Sequence, residues 1–157
     1  MDFDLGQCYS IALSKGGYGG FFISELREEF NGHLNLGITV LDFSIHEVPS
    51  IIDFMNSNCI ILYHDNFDQG GLLTYNIWPD NFLKCENIRY IGNLKLNSKE
   101  LENVICTPIS SIDPCIHLDR IMYEVLKSIE ILKWNGEKVE LKPIKKIIKN
   151  NHAFDWP

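Results

Sequence analysis

The chain reads as an α+β protein, and three features of the 157-residue sequence predict it. Strand-like runs fill the first half. One stretch near Leu118 to Leu132 repeats its apolar residues at three- and four-residue steps. The order is a run of strands followed by a helix, which favours an antiparallel sheet with the helix laid on it. A single domain over 1–157 is expected, since a chain of this length buries enough surface for its own core. The sheet is expected to be strongly curved, or a partial barrel, built from the N-terminal half.

Cys8 to Leu13 and Tyr18 to Glu25 are rich in β-favouring residues, and Ser14-Lys15-Gly16-Gly17 joins them as a short turn, giving a β-hairpin. From Leu34 to Phe43 apolar residues alternate with Asn35, Gly37 and Thr39, the period-two signature of a half-buried strand. Pro49 to Asp53 opens a short helix, with proline suited to its first turn. Cys59 to Tyr63 is continuously apolar, as in a strand covered on both faces. Asn66 to Gly71 makes a loop, and Leu72 to Trp78 resumes as a strand that Pro79 stops. Arg89 to Leu96 is one more strand. The helix is placed at about 117–133, started by Asp113-Pro114 and stopped by Asn135-Gly136. Val139 to Ile144 is a last short strand. Lys142, Lys145, Lys146 and Lys149, interrupted by Pro143 and isoleucines, form the solvated face of a structured tail.

Charge is distributed unevenly. Residues 1–83 hold eleven acids against Lys15 and Arg27, a net of −9, while residues 84–157 hold twelve bases and ten acids, a net of +2. An acidic half repels phosphate backbones and attracts basic surfaces, so the expected partner is a basic protein, with no direct nucleic-acid contact. The acidic start Met1-Asp2-Phe3-Asp4 lacks the basic opening of a secretory leader, and no charge-free stretch exceeds the twelve residues from Phe30 to Leu41. No membrane association is expected. Five cysteines, odd in number and without a CxxC pair, point away from a disulfide framework and toward reduced thiols in the cytoplasm.

Chemistry-bearing patterns are sparse. Ser14 to Gly20 is dense in glycine but runs into the strand sequence Phe21-Phe22-Ile23, whereas a phosphate cradle must open a helix. Cysteine-nucleophile sets can be drawn from Cys59, His64 and Asp65, or from Cys115, His117 and Asp119, without local support. Cys115-x-His117 lacks the second ligand pair that zinc requires. No cofactor and no metal is expected, nor catalysis. The carboxylate groups Glu28-Glu29, Asp42 with Glu47, and Asp65 with Asp68 lie among Tyr63, Phe67, Tyr75 and Trp78. A mixed acidic and aromatic surface suits a hot-spot interface with a basic protein. The partner-binding residues expected are Glu28, Glu29, Asp42, Glu47, Asp65 and Asp68, with Tyr63 and Phe67 as anchors.

Gly6-Gln7-Cys8-Tyr9-Ser10-Ile11-Ala12-Leu13 and Gly17-Tyr18-Gly19-Gly20-Phe21 resemble the opening hairpin of the family-26 immunity proteins of bacterial polymorphic toxin systems, of the contact-dependent inhibition type. Gly6, Ile11, Leu13, Gly17, Tyr18 and Gly19 match that opening. Ala12 stands where the family usually has proline, and Gln7 where it often has aspartate. The similarity covers roughly the first 25 residues. It implies a non-enzymatic antidote that binds a cognate toxin domain, many of which are basic nucleases. The other functions open to such a chain are a small β-barrel module binding a peptide or ligand, and a small hydrolase using cysteine or carboxylate chemistry.

Overall fold

A computed structural model describes residues 3–28, 31–63, 71–82, 84–94, 106–134 and 136–147, with backbone alone at 81, 106–110, 134 and 147. The architecture is α+β. In chain order it comprises β1 (Gln7–Ala12), β2 (Tyr18–Glu28), β3 (Leu34–Val40), α1 (Ile51–Met55), β4 (Asn58–Leu62), β5 (Gly71–Ile77), α2 (Pro79–Phe82) and β6 (Ile88–Asn93). There follow β7 (Cys106–Ser111), α3 (Pro114–Ile131), β8 (Lys133–Trp134), β9 (Glu137–Pro143) and α4 (Ile144–Ile147). The strands run in the order β6-β1-β2-β3-β5-β4-β9-β8, with β7 pairing β5 off this path. Among the described residues β6 and β8 do not pair, so the sheet stays open. Every pairing is antiparallel except β5 with β7.

Both faces of the sheet are covered. On one, Tyr9, Ile11, Phe21, Ile23, Ile38 and Tyr75 pack with Leu118, Ile121, Met122 and Val125 of α3. On the other, Cys8, Phe22, Leu41, Cys59 and Leu72 pack with Phe54 and Met55 of α1 and with Ile144 of α4. Alternate strand residues feed the two cores, which is the period-two geometry of a strand. The continuous apolar run of β4 therefore serves both, with Cys59 and Ile61 on one side and Ile60 and Leu62 on the other. The strand β3 departs from the half-buried expectation, because Asn35, Gly37 and Thr39 are buried as well. Two of its polar groups are satisfied across the strands: the Thr39 hydroxyl donates to Ser24 Oγ at 2.8 Å, and the Ser24 hydroxyl donates to the Gly37 carbonyl at 3.4 Å. Ser24 sits at a register shift between β2 and β3.

The glycine-rich stretch does two jobs. Gly16 and Gly17, at φ +95 and +82, make the β1–β2 turn. Gly19 and Gly20 lie within β2 and allow close approach on opposite faces. A Cβ on Gly19 would stand 2.2 Å from Met122 Cε of α3, and one on Gly20 2.3 Å from the Phe43 ring. The strand passes directly beneath the helix because nothing projects there.

Asp113 caps α3, its carboxylate accepting from the Cys115 N–H at 3.0 Å, with Pro114 in the first turn. The helix ends at Ile131, short of the expected 133, through Leu132 in the left-handed region at φ 55. Gly136, at φ 82, serves the β8–β9 connection instead. Pro79 does not simply stop a strand; it opens α2, whose Phe82 is held edge-on by Tyr9 (4.6 Å), Phe21 and Phe3.

The cysteines correct the expectation of uniformly reduced thiols. Cys85, after α2, and Cys115, in the first turn of α3, form a disulfide with their Cα atoms 5.2 Å apart. Folding brings together two residues 30 apart that no short spacing motif connects. Cys8 and Cys59 are buried and lie outside the disulfide. No helix among the described residues is long and apolar enough to cross a membrane.

Candidate partner-binding surface

Antiparallel pairing gathers the start of one strand with the end of its neighbour. Here it brings the N-terminal end of β1, the C-terminal end of β2, the N-terminal end of β3 and the C-terminal end of β5 to one end of the sheet. The register shows this: Cys8 faces Phe22, Glu28 faces Leu34, and Leu36 faces Ile77. Asp4, Glu25, Arg27, Glu28 and Asp80 therefore share that end. Arg27 is ion-paired with Glu25. Among the described residues Asp4, Glu28 and Asp80 make no ion pair, and all three are exposed. Apolar side chains stand in the same rim: Leu26 and Leu34 are each 37% exposed and Trp78 is 61% exposed. Apolar side chains standing among unpaired acids have the composition of a surface suited to a basic partner.

The opposite end of the sheet also holds carboxylates, and two of them, Asp42 and Asp119, are engaged. Asp42, just beyond β3, accepts from the Asn58 N–H at 2.7 Å and from Asn58 Nδ2 at 2.8 Å, fastening β3 to the start of β4. Asp119 on α3 accepts from the Ser14 N–H and the Ser14 hydroxyl, both at 2.7 Å. Beside it the Lys15 N–H donates to the Tyr123 hydroxyl at 2.8 Å, and the Lys15 ammonium lies 4.9 Å from the Tyr123 ring centre. Asp119 thus clamps the β1–β2 turn to the helix.

The expected site residues fall in different places. Glu28 is at the rim. Glu47 is exposed near the other end, two residues past the Tyr18–Ile45 bridge. The seven residues of β3 separate the two ends by about 20 Å at strand spacing. Asp42 is a structural acceptor. Tyr63, after β4, donates its hydroxyl to Glu140 at 2.8 Å, and Lys138 lies 5.3 Å from its ring centre and 3.0 Å from Glu140. These neighbours hold the Glu140 carboxyl below its ordinary range, chiefly through Lys138, and push the Tyr63 hydroxyl up through its bond to Glu140. Glu29, Asp65, Phe67 and Asp68 lie outside the described residues. Tyr75 is core, at 3% exposure. The sequence reading missed Asp4, Asp80, Leu26 and Leu34. The hairpin it did predict was the available signal for Asp4 and Leu26, because pairing Cys8–Leu13 against Tyr18–Glu25 carries the residues before Cys8 toward the C-terminal end of β2.

The lysines collect elsewhere. Lys138 and Lys142 on β9, with Lys145 and Lys146 on α4, occupy the edge of the sheet beyond β4. Lys149 lies outside the described residues.

The drawn catalytic sets do not assemble from described residues. Cys59 is fully buried, and His64 and Asp65 lie outside the described residues. Cys115 Sγ is bonded to Cys85, His117 Nδ1 accepts the Asp113 N–H at 3.1 Å, and Asp119 holds Ser14. Among the described residues no three His, Cys, Asp or Glu side chains are placed to hold a metal ion. No protein-family model, no curated protein and no solved structure matches the chain.

Proposed function

We propose that the protein is an antidote: an immunity protein that binds a basic toxin domain, a nuclease in the simplest case, and neutralises it by occupying its surface. The observation that carries this reading is the rim at one end of the sheet, where exposed Asp4, Glu28 and Asp80 surround exposed Leu26, Leu34 and Trp78. Acids without internal partners raise the rate of encounter with a cationic protein, and desolvated apolar anchors slow its release. The similarity of the first 25 residues to family-26 immunity proteins supports the same reading, and so does the net charge of −9 over residues 1–83. The antidote acts in the cytoplasm, where an incoming toxin does its damage, and it needs no cofactor and no catalytic group.

The test is capture on the immobilised chain from the source cell's lysate at low salt, with elution by a rising salt gradient. The reading expects one basic protein leaving at high salt, toxic when expressed alone and harmless when co-expressed with this chain. A captured partner that is neutral and innocuous would overturn it.

A further inference from the structure

We propose that Cys85 and Cys115 form a reversible thiol–disulfide switch that opens in the folded protein. The bond joins the segment after α2 to the first turn of α3. Its two sulfurs sit in unlike surroundings. Cys85 is 8% exposed, whereas Cys115 belongs to an exposed position at the start of the helix, where an external thiolate can reach it. Both segments have anchors that do not depend on the bond. On one side Phe82 is packed among Tyr9, Phe21 and Phe3. On the other, Leu118 is buried, the Ile112 N–H donates to the Asn76 carbonyl at 2.9 Å, and Asp119 is clamped to Ser14. Opening the bond therefore releases the stretch around Cys85 and the first turn of α3 without dismantling the sheet.

The other described thiols are out of reach. Cys8 and Cys59 have no exposed surface and belong to the core on the α1 side of the sheet, away from α3. Burial also pushes the Cys8 thiol well above its ordinary range, so it is a poor attacking group. The exchange is written with a glutathione-class thiol. Its thiolate attacks Cys115 Sγ, forming a mixed disulfide and expelling Cys85 as thiolate, which takes up a proton. A second thiol then attacks the glutathione sulfur of that mixed disulfide, releasing Cys115 as a thiol and leaving the oxidised glutathione-class disulfide. Two electrons pass to the protein, and the return path is the reverse.

The test uses the full chain, oxidised in air and then equilibrated in glutathione buffers of graded ratio, alkylated before unfolding and mapped by peptide mass. The same series on Cys106→Ser excludes exchange through Cys106. At a cytosol-like, reducing ratio we expect Cys85 and Cys115 to become labelled roughly tenfold or more faster than Cys8 and Cys59, with amide exchange rising in the first turn of α3 while β1 to β3 stay protected. Two results would overturn the switch: labelling of all four cysteines together, which makes the bond a staple opened only by global unfolding, or free labelling of Cys115 in the air-oxidised chain.

Discussion

The two ends of the sheet each hold acids, and the pair at one end is used in the opposite way from the trio at the other. At the β1–β2 turn end, Asp42 and Asp119 each accept two hydrogen bonds and tie separate elements together. At the other end, Asp4, Glu28 and Asp80 face water beside exposed Leu26, Leu34 and Trp78. A carboxylate that satisfies backbone N–H groups contributes to folding; one left exposed contributes only to what the protein meets. Counting charge along the chain merges these two populations, and the fold separates them.

Substitution should separate them too. The largest effect is expected at the clamped end from Gly20→Val, whose Cβ meets the rigid rings of Phe43 at 2.3 Å and Phe54 at 2.8 Å. Wedging these rings apart should cost about 2–3 kcal/mol in denaturant melts, and Phe43→Leu in the same chain should restore part of it. Asp42→Ala comes next, at about 2 kcal/mol, since it strands the half-buried Asn58 N–H. Asp119→Ala, in a more exposed setting, should cost about 1 kcal/mol and speed amide exchange at Ser14 and Lys15. Equal stability losses from Asp80→Ala at the rim would erase the distinction between the ends.

The core between the ends offers a pH test. Burial pushes the hydroxyls of both Tyr9 and Tyr75 up to about 12. A group whose folded value is raised gives stability that is fully present below its ordinary value of 10 and lost as pH climbs through the folded value. Thermal midpoints should therefore hold to about pH 10 and fall toward pH 12, and the fall should be shallower in Tyr75→Phe. A flat profile to pH 12 would show that these hydroxyls are not buried as described.

Much of this fold was legible along the chain, and the failures have physical causes. The hairpin of β1 and β2 follows from β-favouring runs flanking glycines, and α3 from its apolar period. The polar positions of β3 were misassigned to solvent because alternation reveals a polar face without revealing that Ser24 and Thr39 satisfy each other inside. Pro108 hid β7, which pairs with β5 alone among the described strands, a setting in which proline is tolerated. Pro79 fits the first turn of a helix as well as the end of a strand, and the buried Phe82 decided the matter. The disulfide was invisible because its partners come from separate elements. The acidic excess of the N-terminal half was readable; where its exposed acids gather was not, because Asp4, Glu28 and Asp80 come to one end of the sheet only through the fold.

The smallest expected effect on stability comes from Glu28→Lys with Asp80→Lys, which should stay within about 0.5 kcal/mol of the native chain. The same pair provides the most direct test of the account. Affinity for the captured basic partner is measured at low and high salt for the native chain, for this rim variant, and for Glu47→Lys at the far end of the sheet. The account predicts that the rim variant loses roughly a hundredfold in affinity and most of its salt dependence, while Glu47→Lys binds nearly as the native chain does. Native-like, salt-sensitive binding by the rim variant would contradict it.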